Sequence, residues 1–209
     1  MSGGYDINRA IANAFGNYSW YGAERIPLGT GRTISDGVTL TPSTGTPPYT
    51  VVSAFGGIVW GANAGTTTGV EWDIGIPGEY AKDKAAEDDE LRFLLIMKGG
   101  AATGGFVPTI LYQRAGSALS ASIPLTGYKK GLTLDALETA SFAASTTFTL
   151  TATPTQPEAV MLQFKNAGLK PFDAARLTIG PSGAANTATT LFGMWMLPKR
   201  YAAIEQFRK

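Results

Sequence analysis

Hydrophobic and polar positions separate most clearly between Thr68 and Lys98. Val70, Trp72, Ile74 and Ile76 alternate with Glu71, Asp73 and Gly75. Pro77-Gly78 then turns the chain into an acidic segment, Ala81 to Glu90, and Leu91 to Met97 follows as a near-continuous apolar run. Successive strand side chains point to opposite faces, so the alternation predicts a half-buried strand and the continuous run a strand buried more deeply.

The same reading predicts further strands at Phe106 to Arg114, Ser120 to Leu125, Thr146 to Thr153, Ala159 to Lys165, Ala175 to Ile179 and Thr190 to Leu197. Pro108 cannot donate to a ladder, which places the early part of its strand at an edge. Tyr49 to Trp60 reads as a strand interrupted by a bulge or bend at Gly56-Gly57, and Thr33 to Thr41 as a small hairpin or broken strand around Asp36-Gly37. Leu132 to Ala144 is a short helix or a connection. Near the start, Asp6 is an N-cap for a short amphipathic helix carrying Ile7, Ile11, Ala14 and Phe15, with Gly16 behind it. So short a helix needs a surface to pack on.

Composition agrees with many short strands joined by tight turns: among 209 residues there are 26 glycines and 12 prolines. The expected fold is all-β, a jelly-roll-like β-sandwich with an N-terminal extension and short terminal helices. Residues 1–65 form an arm and irregular or β extension, 66–198 the sandwich and 199–209 a tail. No internal repeat period emerges. Seventeen basic and sixteen acidic side chains leave a formal net charge of +1, so no one-signed field exists to hold nucleic acid or an anionic membrane. No apolar run approaches the ~20 residues that cross a bilayer, and Met1 to Asp6 shows neither the basic nor the apolar region of an export signal, so none is expected.

The chain has no cysteine and no histidine, which excludes Ser-His-Asp, Cys-His and HExxH chemistry and sulfur-held metals. Four other features bear on chemistry. Lys82 to Glu90 places five carboxylates together but lacks EF-hand spacing and the bend glycine, so it reads as a solvated loop beside a sticky strand. Trp72 and Trp195 lie within apolar alternation and are expected in the core. Glu71 and Asp73 share a strand face, where a glycosidase would need carboxylates opposed across a cleft; an ordinary solvent-facing edge suits them. Gly99-Gly100 and Gly104-Gly105 lack the Lys-Ser/Thr of a phosphate loop. No cofactor or metal is implied.

From Thr68 to Tyr201 the order of elements resembles the jelly-roll proteins of tailed bacteriophages, above all capsid decoration (cement) proteins and related fibre modules. Val70 to Tyr80, Glu90 to Met97, and Pro171 to Gly180 leading into Leu191 to Leu197 carry the resemblance. It implies a non-enzymatic virion protein, made in the host cytoplasm and placed on the capsid exterior. Such a protein forms a homo-oligomer, a trimer by the resemblance, and contacts the major capsid protein. The surfaces expected to meet partners are the apolar ends of the chain: Ile7, Ile11 and Phe15, the cluster Tyr18, Trp20 and Tyr21, and Tyr201, Ile204 and Phe207 in the tail. The alternative is a carbohydrate- or receptor-binding module of a phage fibre, with exposed aromatics in a groove. A carboxylate glycosidase ranks third.

Overall fold

The computed structural model describes residues 23–34, 49–51, 58–60, 69–76, 90–99, 105–114, 121–151, 156–165, 169, 173–183 and 189–197. The short strands are β1 (Glu24–Arg25), β2 (Arg32–Ile34), β3 (Tyr49–Val51), β4 (Ile58–Trp60), β10 (Ala143–Ala144) and β11 (Phe148–Thr149). The others are β5 (Gly69–Ile74), β6 (Glu90–Lys98), β7 (Gly105–Gln113), β8 (Ala121–Pro124), β9 (Gly127–Gly131), β12 (Glu158–Lys165), β13 (Ala174–Pro181) and β14 (Thr189–Leu197). One α-helix, α1 (Leu134–Thr139), and one 3-10 turn, Leu28–Thr30, accompany them among the described residues.

These strands make two antiparallel sheets. The larger runs β10-β9-β12-β6-β14-β4-β3, with β1 also on β14; the smaller runs β11-β7-β13-β5-β2, with β8 also on β7. Within them, β4-β14-β6-β12 faces β5-β13-β7-β8, the double Greek key of a jelly roll. The fold is an all-β sandwich.

Between the sheets lies one core. Phe93, Leu95 and Met97 of β6, Val160, Leu162 and Phe164 of β12, Trp72 of β5 and Leu177 and Ile179 of β13 all lie in it, none more than marginally exposed. Phe93 meets Phe164 edge-on at 5.7 Å, and Trp60 meets Phe106 at 5.4 Å across the two sheets. Such pairs add about 0.5–1.5 kcal/mol each beyond burial. A second cluster, Leu94, Leu137, Ala159, Met161 and Leu197, sits on the opposite, outer face of the larger sheet. This explains the continuous apolar run: β6 lies between β12 and β14 and buries side chains on both faces.

Several sequence expectations change. Tyr49 to Trp60 is not one bent strand: β3 and β4 pair antiparallel, Tyr49 opposite Trp60 and Val51 opposite Ile58. Pro108 lies at a gap in the pairing rather than on an outer strand of the sheet, so the edge it marks is local. β13 flanks β7 on one side, while β11 (opposite Phe106) and β8 (from Thr109) flank it on the other, leaving Val107-Pro108 unpaired between them. Gly105 O accepts from Ser182 N on the β13 side, so alternation turns the backbone of even-numbered β7 residues toward that gap. The missing Pro108 donor therefore costs the ladder nothing.

Strands from within the 1–65 stretch enter both sheets, β2 pairing with β5, and β1 and β4 with β14. The expected terminal helices, and the turn at Asp36-Gly37, lie outside the described residues.

Candidate interaction surfaces

The outer face of the smaller sheet carries a closed set of charges. With Val70, Trp72 and Ile74 turned into the core, β5 presents Glu71 and Asp73 outward, Glu71 opposite Arg32 of β2 and Asp73 opposite Arg176 of β13. Arg32 Nη2 donates to Asp73 Oδ1 at 2.6 Å, and Arg176 Nε donates to the same oxygen at 3.1 Å. Glu71 Oε1 lies 3.4 Å from Arg32 Nε and 3.6 Å from Arg176 Nη1, without a hydrogen bond of good geometry.

Glu71 is not at a solvent-facing edge as expected; it is 4% exposed. Burial pushes its carboxyl above the usual carboxylate range, against Arg176 and Arg32, which pull it down, and with a small push from Asp73. Two carboxylates and two guanidiniums on one open sheet face tie β2, β5 and β13 together. They do not form an acid–base pair across a cleft.

The outer face of the larger sheet is different. One row of facing residues crosses it as Lys129, Met161, Leu94, Trp195 and Arg25, and the neighbouring row as Gly131, Ala159, Ile96 and Gly193. An apolar strip therefore spans β12, β6 and β14 between cations at its two ends. α1 covers the β9 end. Thr133 caps it, accepting from Ala136 N at 3.1 Å, and a Cβ on Gly131 would come within 2.7 Å of Ala136 C and 2.9 Å of Leu137 Cα, so only glycine admits the helix backbone.

Beside α1, Phe142 takes two cations on its ring, Arg92 at 4.8 Å and Lys129 at 5.3 Å. Lys129 is 6% exposed. Its ammonium is held below the usual lysine range by burial first and by Arg92 second, against Glu138. Glu90 accepts from Arg92 Nη2 at 3.0 Å and from Gln163 Nε2. The described member of the acidic segment is thus bonded to the sheet; Asp83, Glu87, Asp88 and Asp89 lie outside the described residues. Among the described residues no three metal-ligating side chains cluster.

Trp72 is in the core as expected. Trp195 is not. Its neighbour Met194 points into the sandwich while Trp195 packs, part-exposed, against the outer cluster. A Cβ on Gly193 would meet Trp195 Cζ3 at 2.7 Å and Cζ2 at 3.4 Å. The indole thus lies over the glycine two residues before it, at the β-bulge between Leu191 and Gly193. A glycine two positions from an aromatic in a strand was the available signal for this flattened ring.

Every residue expected to bind a partner, Ile7, Ile11, Phe15, Tyr18, Trp20, Tyr21, Tyr201, Ile204 and Phe207, lies outside the described residues. Where their segments join the sandwich is described. β1 and β14 are antiparallel, Glu24 facing Met196, and both Ala23 and Leu197 belong to the outer cluster. Ala23 and Leu197, the described residues next to the two terminal segments, are therefore neighbours on the larger sheet.

No protein-family model and no curated protein matches the chain. Among solved structures it is similar to a xylan-binding module CBM15 (12% identity, TM-score 0.45, covering 84% of this chain and 95% of that one). It is similar to the CBM22-1–GH10 modules of Clostridium thermocellum endo-1,4-β-D-xylanase 10B complexed with xylohexaose (10% identity, TM-score 0.44), covering 87% of this chain and 28% of that one. A third similar structure is a Cellvibrio japonicus xylanase 10C variant complexed with xylopentaose (11% identity, TM-score 0.38), covering 80% of this chain and 26% of that one.

Proposed function

We propose that this chain is a non-enzymatic structural protein of a virion: a jelly-roll module that oligomerises, as a trimer, on the capsid exterior and cements the shell by contacting the major capsid protein. The observation that carries the reading is that Ala23 and Leu197 are neighbours on the larger sheet. Both apolar terminal segments thus start from neighbouring positions on one sandwich, and modest contacts made by two such segments combine into a large avidity. The carboxylates Glu71, Asp73, Glu90, Glu158 and Asp173 support it, each being held in an ion pair or hydrogen bond within the sandwich. The test mixes the purified chain with empty tailed-phage capsids stripped of outer proteins and sediments them. Co-sedimentation that falls at least about tenfold on deleting Ser2–Tyr18 or Tyr201–Lys209 is expected, the scale of lost avidity; a chain that stays in the supernatant overturns the reading.

Trp195 favours a second reading, a glycan-binding module. The Trp195 indole, part-exposed on the outer face of the larger sheet, offers an aromatic ring to the C–H groups of a sugar, and Arg25 of β1 stands opposite it as a donor. Affinity electrophoresis in xylan and other soluble polysaccharides tests it: retardation lost in Trp195→Ala supports it, and unretarded migration in every polysaccharide removes it.

A further inference from the structure

Strand β14 carries one residue more than its partner β6. Leu191 faces Met97 and Gly193 faces Ile96, so Phe192 is the extra residue of the bulge between them. In a regular strand, positions three apart such as Phe192 and Trp195 point to opposite faces of the sheet. Here they do not. Leu191 lies in the core, which turns Phe192 to the outer face, and the Cβ direction of Gly193 leads to the Trp195 indole on that same face. Phe192 is part-exposed and belongs to neither apolar cluster of the described residues. The bulge therefore re-aims the strand so that two part-exposed aromatics share the outer face. They stand about 7–10 Å apart along β14, two to three strand residues.

Each ring has a cation at its side. Arg25 of β1 is exposed and directly opposite Trp195. Lys98 of β6 is part-exposed and opposite Thr190, two residues before Phe192; it turns outward because Met97 next to it is in the core. Neither takes part in the ion pairs of the described residues. The described carboxylates of these strands lie elsewhere. Glu24 is opposite the core residue Met196, which sets it on the other side of the sheet, and Glu90, at the far end of β6, is bonded to Arg92 and Gln163. This face is aromatic and locally positive on a chain whose net charge is only +1.

We propose that Phe192, Trp195, Arg25 and Lys98 form a binding surface for an acidic polysaccharide, a chain of sugar rings that carry carboxylates. The proposal rests on the glycan-binding reading of Trp195 and adds to it the second ring and the charge of the ligand. A sugar ring has an apolar C–H face and a polar edge, so an aromatic takes the face while a cation beside it takes an edge carboxylate. Exposed ion pairs are individually weak. Stacking therefore carries most of the affinity, and the two cations choose an anionic chain over a neutral one.

The test is affinity electrophoresis of the full chain in polygalacturonate and in neutral arabinoxylan, with migration measured against a gel without polysaccharide. Binding to polygalacturonate should be at least about tenfold tighter than to arabinoxylan. Trp195→Ala and Phe192→Leu should each weaken it about tenfold, the scale of a buried aromatic anchor; the leucine keeps an apolar side chain at the bulge and removes the ring. Arg25→Gln and Lys98→Gln should each weaken it about threefold, and Lys165→Gln, an exposed cation opposite Glu90 and away from the two rings, should leave it unchanged. Trp195-dependent binding that is as tight in arabinoxylan as in polygalacturonate overturns the proposal and leaves the glycan reading standing. Polygalacturonate binding that ignores Phe192→Leu, or falls as much with Lys165→Gln as with Arg25→Gln, is diffuse charge attraction and also overturns it. Unretarded migration in both gels removes the proposal and the glycan reading together.

Discussion

Glu71 shows how far a single position can depart from what its neighbours in sequence suggest. Alternation correctly puts it on the outer face of β5, but Arg32 and Arg176 arrive from strands distant in sequence and close over it. A carboxyl whose folded-state pKa lies above its unfolded value contributes stability below the unfolded pKa, and loses that contribution as pH rises through the folded value. Glu71→Gln should therefore leave stability at pH 7 unchanged or raise it by up to about 1 kcal/mol. The difference from the parent should vanish as pH falls through about 4. Urea melts across that range check it; a loss of about 3 kcal/mol or more at pH 7 would mean the ion pairs outweigh burial.

Two glycines make opposite predictions for a similar reason. A Cβ at Gly131 meets helix backbone, which cannot yield without unseating α1, whereas a Cβ at Gly193 meets the far edge of the Trp195 indole, which can swing away. Gly131→Ala should cost about 1–3 kcal/mol. Gly193→Ala should stay within about 1 kcal/mol, because strand entropy gained offsets the displaced ring. Denaturant unfolding measures both, and a red-shifted tryptophan emission in Gly193→Ala reports the ring.

Among the elements, the ones readable in advance are those whose burial is their own. β6 buries side chains on both faces and announces this as a dense apolar run, whereas β12 reads as alternation, with Val160, Leu162 and Phe164 inward, and its other face is buried at Met161 only because α1 packs there through Leu137. β9, Gly-Tyr-Lys-Lys-Gly, has no such pattern: Tyr128 packs toward the main core, and Lys129 supplies the outer face through Phe142. Its strand state comes from β12, which pairs with it from Ala159 to Gln163. No period in the sequence could reveal that. The stretch from Leu132 to Ala144 was readable only as helix or connection because six helical residues are too few to establish a period; Thr133 as N-cap decides the start. Thr133→Ala should destabilise the protein by about 1 kcal/mol, with hydrogen exchange accelerating most at the α1 amides. Uniform acceleration across the sheets would show that α1 is not a separate unit.

On the scale of the whole molecule, two sheets share one core, and the jelly-roll order follows from pairings far apart in sequence, such as β4 with β14. Sequence patterning predicted a sandwich of this class because strand number, turn density and inward apolar residues are local properties. Which surface does the work is not local. Trp195 looked like core because its strand is apolar on both sides, and the outer strip exists only once β12, β6 and β14 are adjacent. The residues expected to touch partners stand out in sequence only as apolar positions outside the strands; the sandwich adds that their segments adjoin it at neighbouring residues, Ala23 and Leu197.

That adjacency has a consequence for the connectivity of the chain itself. Antiparallel neighbours such as Glu24 and Met196 sit about 5 Å apart, so residues 23 and 197 can be joined by a few Gly/Ser residues without disturbing either sheet. A circular permutant closed there and opened at the bend after β13, between the exposed Ser182 and the part-buried Gly183, should still unfold in one cooperative step, checked by calorimetry. Scattered or absent melting would mean that the terminal segments are part of the folding unit rather than passengers on it. If the permutant folds, this jelly roll is a closed loop whose opening can be moved around it, and a peptide fused directly before residue 23 or directly after residue 197 is displayed from one and the same point.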